Sequence, residues 1–271
     1  MPYATIDGAE LYYEVHGKGF PLVFAHGAGG NHLSWWQQVP AFQKEFTCIT
    51  FDHRGWGLST DPDDLGPAAF AADLGRLLDY LELDQAFLVG QSMGGFTCLN
   101  FLMAQPERVK GLVMTNTFAG MRREVWLASG EAERKDAHET WERRRTTGVK
   151  RALARDFSSN RVAETFLYKQ IRLINENGPN RLQADGQVMR LRALERAPDT
   201  SATKEALAAI GTPVLFVGGE HDEVMPVPLM RVAAALIPGA RIEVVPNTAH
   251  SVHFEAPEEF NRIVGDFIRA V

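Results

Sequence analysis

Ala86-Phe87-Leu88-Val89-Gly90-Gln91-Ser92-Met93-Gly94-Gly95 is the stretch on which the fold of this chain turns. Residues 86–89 form a short apolar run of the kind that fills a buried strand. Residues 92–104 continue as an apolar segment of helical length. Only three or four residues join the two, so the turn must be sharp. Gly90 and Gly94 flank the serine because close packing around such a turn leaves no room for a Cβ. Ser92 then stands at a helix N-terminus with its Oγ exposed above a sheet, where the helix dipole and unpaired N–H groups favour negative charge. Gly-x-Ser-x-Gly alone also describes a capping serine in a glycine-rich turn. The strand before it and the helix after it are what point to a nucleophile.

On the N-terminal side, two alternating runs at 3–6 and 11–16 are split by Asp7-Gly8, a hairpin signature. Strands dense in Val, Leu, Ile and Phe are expected at 21–25, 47–51, 86–89 and 109–115, with helices at 33–44, 68–81 and 93–104 between them. The pattern stops near Met121 and resumes near Thr212, with strands at 213–217 and 241–245 and helices at 228–236 and 257–271. Buried strands alternating with helices require crossover connections, hence a mostly parallel sheet covered on both faces. The expected organisation is a core built from residues 1–120 and 204–271, interrupted by a helical cap over 121–203. Composition marks the interruption too. Residues 121–200 hold 17 Lys and Arg against 12 Asp and Glu, whereas the rest of the chain holds 11 against 22. A basic insert between two strands of an acidic core reads as a lid over the strand ends.

The whole chain has 271 residues, 45% of them apolar and 23% charged, with a net charge of −6. This balance supports a sizeable core and argues against a nucleic-acid partner or an anionic membrane surface. No apolar run approaches the roughly 18 to 20 residues of a membrane span. The N-terminus lacks a basic region followed by an apolar one, so no secretory signal is read and a cytoplasmic location is expected. Cys48 and Cys98 lie in apolar segments and read as free buried thiols, in keeping with a reducing compartment. The histidines show no ligand spacing, so neither a metal nor a cofactor is expected.

A serine hydroxyl becomes nucleophilic when a base takes its proton, and that base needs a carboxylate to orient it. Sites in open α/β sheets gather at the C-terminal ends of strands. After the strand at 213–217 comes Gly218-Gly219-Glu220-His221-Asp222-Glu223, and after the strand at 241–245 comes Pro246-Asn247-Thr248-Ala249-His250. Asp222 is the expected acid, because the Gly-Gly turn leads to it. Glu220 reads as a loop hydrogen-bonder and Glu223 as a helix N-terminal charge. His250 is the expected base, ahead of His221 and of His253, which lies about one helical turn further on. His16, His32, His53 and His138 read as structural. The oxyanion formed on attack needs two preplaced donors. One is the N–H of Met93, directly after the serine. The other should come from His26-Gly27-Ala28-Gly29-Gly30, with Ala28 preferred and Gly29 the neighbouring alternative.

Taken together, these motifs resemble the α/β-hydrolase superfamily, in its carboxylesterase, 3-oxoadipate enol-lactonase and cofactor-free haloperoxidase type. Further resemblance lies in Asp52-His53-Arg54-Gly55-Trp56-Gly57-Leu58-Ser59 and in His250 followed by Phe254-Glu255-Ala256-Pro257. The resemblance implies an eight-stranded sheet with a helical cap between the sixth and seventh strands, and a Ser92–His250–Asp222 triad. It also implies a scaffold role for Arg54. Serine at the elbow, where epoxide hydrolases and dehalogenases of this fold carry aspartate, speaks against those chemistries. The expected activity is cleavage of a small carboxylic ester or lactone through an acyl-enzyme on Ser92. Two rivals share the motifs: a hydrolase of C–C bonds in ring-cleavage products, with Arg190 or Arg192 of the basic cap as candidate anion contacts, and a ligand receptor on the same fold. Trp35, Phe118, Trp126, Trp141 and Phe157 are candidate pocket residues that read equally as packing. The sequence leaves the oligomeric state open.

Overall fold

A computed structural model describes residues 2–118, 152–177 and 202–271, together with Lys135 and Glu139. Eight strands form one sheet: β1 (Tyr3–Ile6), β2 (Ala9–His16), β3 (Phe20–Ala25), β4 (Phe46–Phe51), β5 (Ala86–Gln91), β6 (Val109–Thr115), β7 (Val214–Gly219) and β8 (Arg241–Val245). Their spatial order is β1-β2-β4-β3-β5-β6-β7-β8. β1 and β2 pair antiparallel, as do β2 and β4, and every later pairing is parallel. The first hairpin closes on Asp7 and Gly8, whose positive φ values of 46° and 79° suit the tight turn that the Asp-Gly pair signals.

Side-chain alternation sorts the strands onto two cores. Val23, Ala25, Ile49, Phe51, Leu88, Leu112, Met114 and Phe216 face one side. There they meet α2 (Phe70–Tyr80), α3 (Met93–Ala104) and α7 (Val227–Leu236) through Leu74, Leu77, Cys98, Leu99, Phe101 and Met230. Leu22, Phe24, Cys48, Phe87, Val89, Val113, Leu215 and Val217 face the other side. They meet α1 (Val39–Phe42) and α9 (Pro257–Ala270), the latter through Phe260, Ile263, Val264, Phe267 and Ile268. That last set follows the i, i+3, i+4, i+7, i+8 stripe of an amphipathic helix. Cys48 and Cys98 are free, buried and assigned to different cores.

The helix expected over 33–44 is not continuous. A 3₁₀ turn at His32–Trp35 is capped by Asn31, whose side chain accepts from Leu33 N while its own N–H donates to Ser34 Oγ. The helical path restarts at α1, where Pro40 sits in the first turn and has no N–H for the preceding carbonyls.

Within the expected cap, residues 152–177 carry α4 (Arg155–Asn160) and α5 (Val162–Asn177). This segment is tied to loops at the C-terminal ends of the strands. Asn31 Nδ2 donates to Ile171 O at 2.7 Å. Asn175 accepts from Gly57 N (2.9 Å) and donates to Gly30 O (3.0 Å). Tyr168 Oη and Ser251 Oγ are 3.0 Å apart. Glu255, on the short helix α8 (Val252–Glu255), accepts from Ala154 N at 2.7 Å. Leu153, Ile171 and Phe254 close an apolar seam between segment and core, with Phe157 and Tyr168 against it. Trp126, His138, Trp141, Arg190 and Arg192 lie outside the described residues. A further short helix, α6 (Lys204–Ala208), leads back into β7. Among the described residues no helix is long and apolar enough to cross a membrane.

Candidate active site

β5 delivers Ser92 to the C-terminal edge of the sheet and α3 begins one residue later. Ser92 has φ 51° and ψ −111°, a backbone state that L-residues rarely adopt. The turn is held by Ser92 N donating to Thr115 O and by Gly95 N donating to Ser92 O, each at 3.0 Å. Its tightness accounts for the glycines. A Cβ on Gly90 would lie 2.6 Å from Gly94 O, and one on Gly94 would run into the Ala25 carbonyl oxygen. Gln91 lies between them in sequence and spans two loops, with its Nε2 donating to His250 O at 2.9 Å.

Asp222 and His250 meet as the sequence leads one to expect. His250 Nδ1 lies 2.9 Å from Asp222 Oδ2 and 3.1 Å from Oδ1. An ionised carboxylate only accepts, so the ring proton sits on Nδ1 and Nε2 is left as the basic nitrogen. Asp222 is buried and collects three further donors: Val224 N and Met225 N, each at 2.8 Å on Oδ1, and Asn116 Nδ2 at 2.9 Å on Oδ2. Asn116, directly after β6 with φ 50°, also donates to Ala249 O at 3.0 Å and accepts from Val252 N at 3.3 Å. It therefore positions both Asp222 and the loop carrying His250. Glu255 braces that same loop by accepting from Ala249 N and Ser251 N. Burial raises the Glu255 carboxyl above the ordinary carboxylate range.

The expected oxyanion donors also come together. Met93, Trp56 and Phe70 form one small apolar cluster with Ala28 packed against it. Trp56 Nε1 donates to Ala28 O at 2.8 Å, fixing that peptide. Among the described residues, the N–H groups of Ala28, Gly29 and Met93 donate to no protein acceptor. A Cβ built on Gly27 would stand 3.2 Å from the Cβ of Ser92, so this loop lies against the elbow. The roots of the loop rest on two buried histidines. His53 N donates to His26 Nε2 at 3.0 Å, which puts the His26 proton on Nδ1, bonded to Gly27 O at 2.7 Å. His53 Nε2 in turn meets Thr97 Oγ1 on α3 at 2.9 Å. Burial lowers His26 to about 4 and His53 well below its usual value, so the pair is neutral.

The rival residues lie elsewhere. Glu220 accepts from Asn247 N in its loop, and His221 is exposed beside it. His253 is buried against Trp35, with ring centroids 4.7 Å apart, and its Nδ1 has no partner among the described residues. Trp35 is thus core, wedged between His253 and Phe24. Phe157 packs on Phe254, and Phe118 borders the first core. Arg54 is buried in a two-pronged bond to Asp73 at 2.6 and 2.9 Å, a scaffold position. His32 is held likewise by Asp52, at 3.0 Å. Among the described residues no group of three or more His, Cys, Asp or Glu side chains is arranged to hold a metal. The sequence reading missed Asn116, Gln91 and Asn175. An amide side chain carries no spacing signal, and only the meeting of distant loops gives these their task.

Comparison with known proteins agrees with this architecture. The family model described as alpha/beta hydrolase fold matches residues 21–257. RutD of Azorhizobium caulinodans, provisionally named a carbamate hydrolase, is 29% identical over 98% of each chain. The 3-oxoadipate enol-lactonase 1 of Acinetobacter baylyi is 26% identical over 98% of this chain and 95% of its own. Among solved structures, Est816, described as an N-acyl homoserine lactone degrading enzyme, superposes with a TM-score of 0.74 at 26% identity. It covers 98% of this chain and 100% of its own. The chain is a member of the α/β-hydrolase family, with hydrolases among its relatives.

Proposed function

We propose that this protein is a serine hydrolase that cleaves a small carboxylic ester or lactone through an acyl-enzyme on Ser92. The observation that carries the reading is the buried Asp222–His250 hydrogen bond, which leaves a basic Nε2 on the loop that Gln91 ties to the elbow. His250 takes the Ser92 proton as Oγ attacks the acyl carbon, and the carbonyl electrons move onto the oxygen. The N–H groups of Met93 and Ala28 stabilise that oxyanion. When the intermediate collapses, His250 returns the proton to the departing alkoxide. It then deprotonates a water that attacks the acyl-enzyme, and the acid leaves with Ser92 restored. Asp222 keeps the imidazole in the right tautomer and stabilises its charged form.

The neutral His26–His53 pair and the Trp56 bond to Ala28 support this reading, because an oxyanion hole works by being rigid before charge develops. The strained backbone of Ser92 supports it as well, since strain of this kind gathers at working residues. The relatives named for lactone cleavage favour an ester or lactone over other acyl donors. The test is hydrolysis of short p-nitrophenyl esters by wild type and Ser92→Ala. Loss of about 10³-fold or more in kcat is expected for the variant. Equal turnover by the two proteins would refute the proposal.

A further inference from the structure

α5 passes over both halves of the candidate site. Near its middle, Tyr168 Oη touches Ser251 Oγ, one residue beyond His250. One turn later, at Arg172, the same helix face reaches the loop that carries Ala28. The guanidinium lies against Gly29: a Cβ built there would stand 3.0 Å from Arg172 Cζ and 3.2 Å from each terminal nitrogen. The cation thus adjoins the residue next to Ala28, whose N–H donates to no acceptor among the described residues.

This placement is not that of a loosely tethered surface arginine. The turn that carries Arg172 is fastened on both sides, through Ile171 O to Asn31 and through Asn175 to Gly30 and Gly57. Asn175 and Ile171 are buried, and Arg172 itself is exposed between them. Tyr168 supports the guanidinium from the same helix, with Cζ 5.9 Å from its ring centroid. Among the described residues Arg172 makes no ion pair with a carboxylate. A planar cation held beside the Ala28 loop, with no acceptor for its donors among the described residues, matches a carboxylate in geometry and charge.

Resting on the serine-hydrolase reading above, we infer that Arg172 is a specificity residue that binds a carboxylate on the substrate, so the preferred esters or lactones are anionic half-esters or acid-bearing lactones. The acyl group would sit under Met93 and Ala28 while its distal carboxylate meets the guanidinium.

The test pairs the p-nitrophenyl monoester of glutaric acid with neutral p-nitrophenyl valerate, in wild type, Arg172→Gln and Arg172→Lys. The anionic-to-neutral ratio of kcat/KM is expected to exceed one in wild type. It should fall about 10- to 100-fold in Arg172→Gln, mostly through KM, and less in Arg172→Lys. Calorimetric titration with glutarate gives a readout free of turnover, with binding weakened by a similar factor in Arg172→Gln. An unchanged ratio overturns the inference, as does glutarate affinity that is equal in the two proteins or undetectable in wild type. Absence of turnover on both esters by wild type would instead refute the serine-hydrolase reading, and glutarate binding would still decide the role of Arg172.

Discussion

His253 offers a measurement of how much acid sensitivity one buried imidazole builds into this fold. Its ring packs tilted at 38° against Trp35 with its centroid 6.1 Å from that of Phe260, and its Nδ1 has no partner among the described residues. Burial, with a smaller push from His250, lowers its pKa from 6.5 to about 3. The unfolded chain therefore takes up the proton first as pH falls, and the folded state loses stability from about pH 6.5 downward. At pH 4.5 the gap spans two pH units below the unfolded value, and at about 1.4 kcal/mol per unit the loss is ~3 kcal/mol. Replacing the ring by phenylalanine keeps the stacking volume and removes the titration. His253→Phe is thus expected to lose ~3 kcal/mol less stability than wild type between pH 7.5 and 4.5, whatever its offset at neutral pH. Urea unfolding followed by tryptophan fluorescence at several pH values measures both slopes. Equal losses in the two proteins would refute the argument and show that His253 is charged or solvated in the fold.

Two further outcomes follow from packing. Gly94→Ala drives a methyl group into the Ala25 carbonyl, so the elbow must open; a drop of roughly 3 kcal/mol or more in unfolding free energy and loss of esterase activity are expected. A stable, fully active variant would contradict the packing argument. Asn175→Leu leaves Gly57 N and Gly30 O without their partner, at about 1–3 kcal/mol for the buried Gly57 N–H and less for the half-buried Gly30 carbonyl. Thermal unfolding should register that cost, and under the proposed mechanism kcat should fall with it because Gly30 belongs to the loop that carries Ala28. An unchanged melting temperature would show that water replaces the amide.

Much of the sheet was legible from local pattern. The strands at 21–25 and 86–89 alternate between two apolar faces, and that alternation is a property of neighbouring residues. The break of the expected helix at 33–44 was less visible, since Asn31 and Pro40 act through backbone hydrogen bonds that a hydrophobic period does not register. Ser92, Asp222 and His250 each stand out as candidates because each follows a strand end at a loop with distinctive glycine or histidine chemistry. The 2.9 Å between Asp222 Oδ2 and His250 Nδ1 is set by the tertiary fold. The oxyanion choice between Ala28 and Gly29 stays as the sequence left it, since neither N–H donates to an acceptor among the described residues.

By itself the sequence determined the strand–turn–helix around Ser92 and the order in which serine, acid and histidine occur, because these depend on short-range sterics and period. Tertiary structure alone decided what surrounds them. Asn116 became the brace of Asp222, Glu255 the brace of the His250 loop, and Asn175 and Arg172 the reach of α5 into the Ala28 loop. Each of these contacts joins residues far apart in the chain, and hydrogen-bond partners at that separation are chosen by packing, which no local pattern encodes.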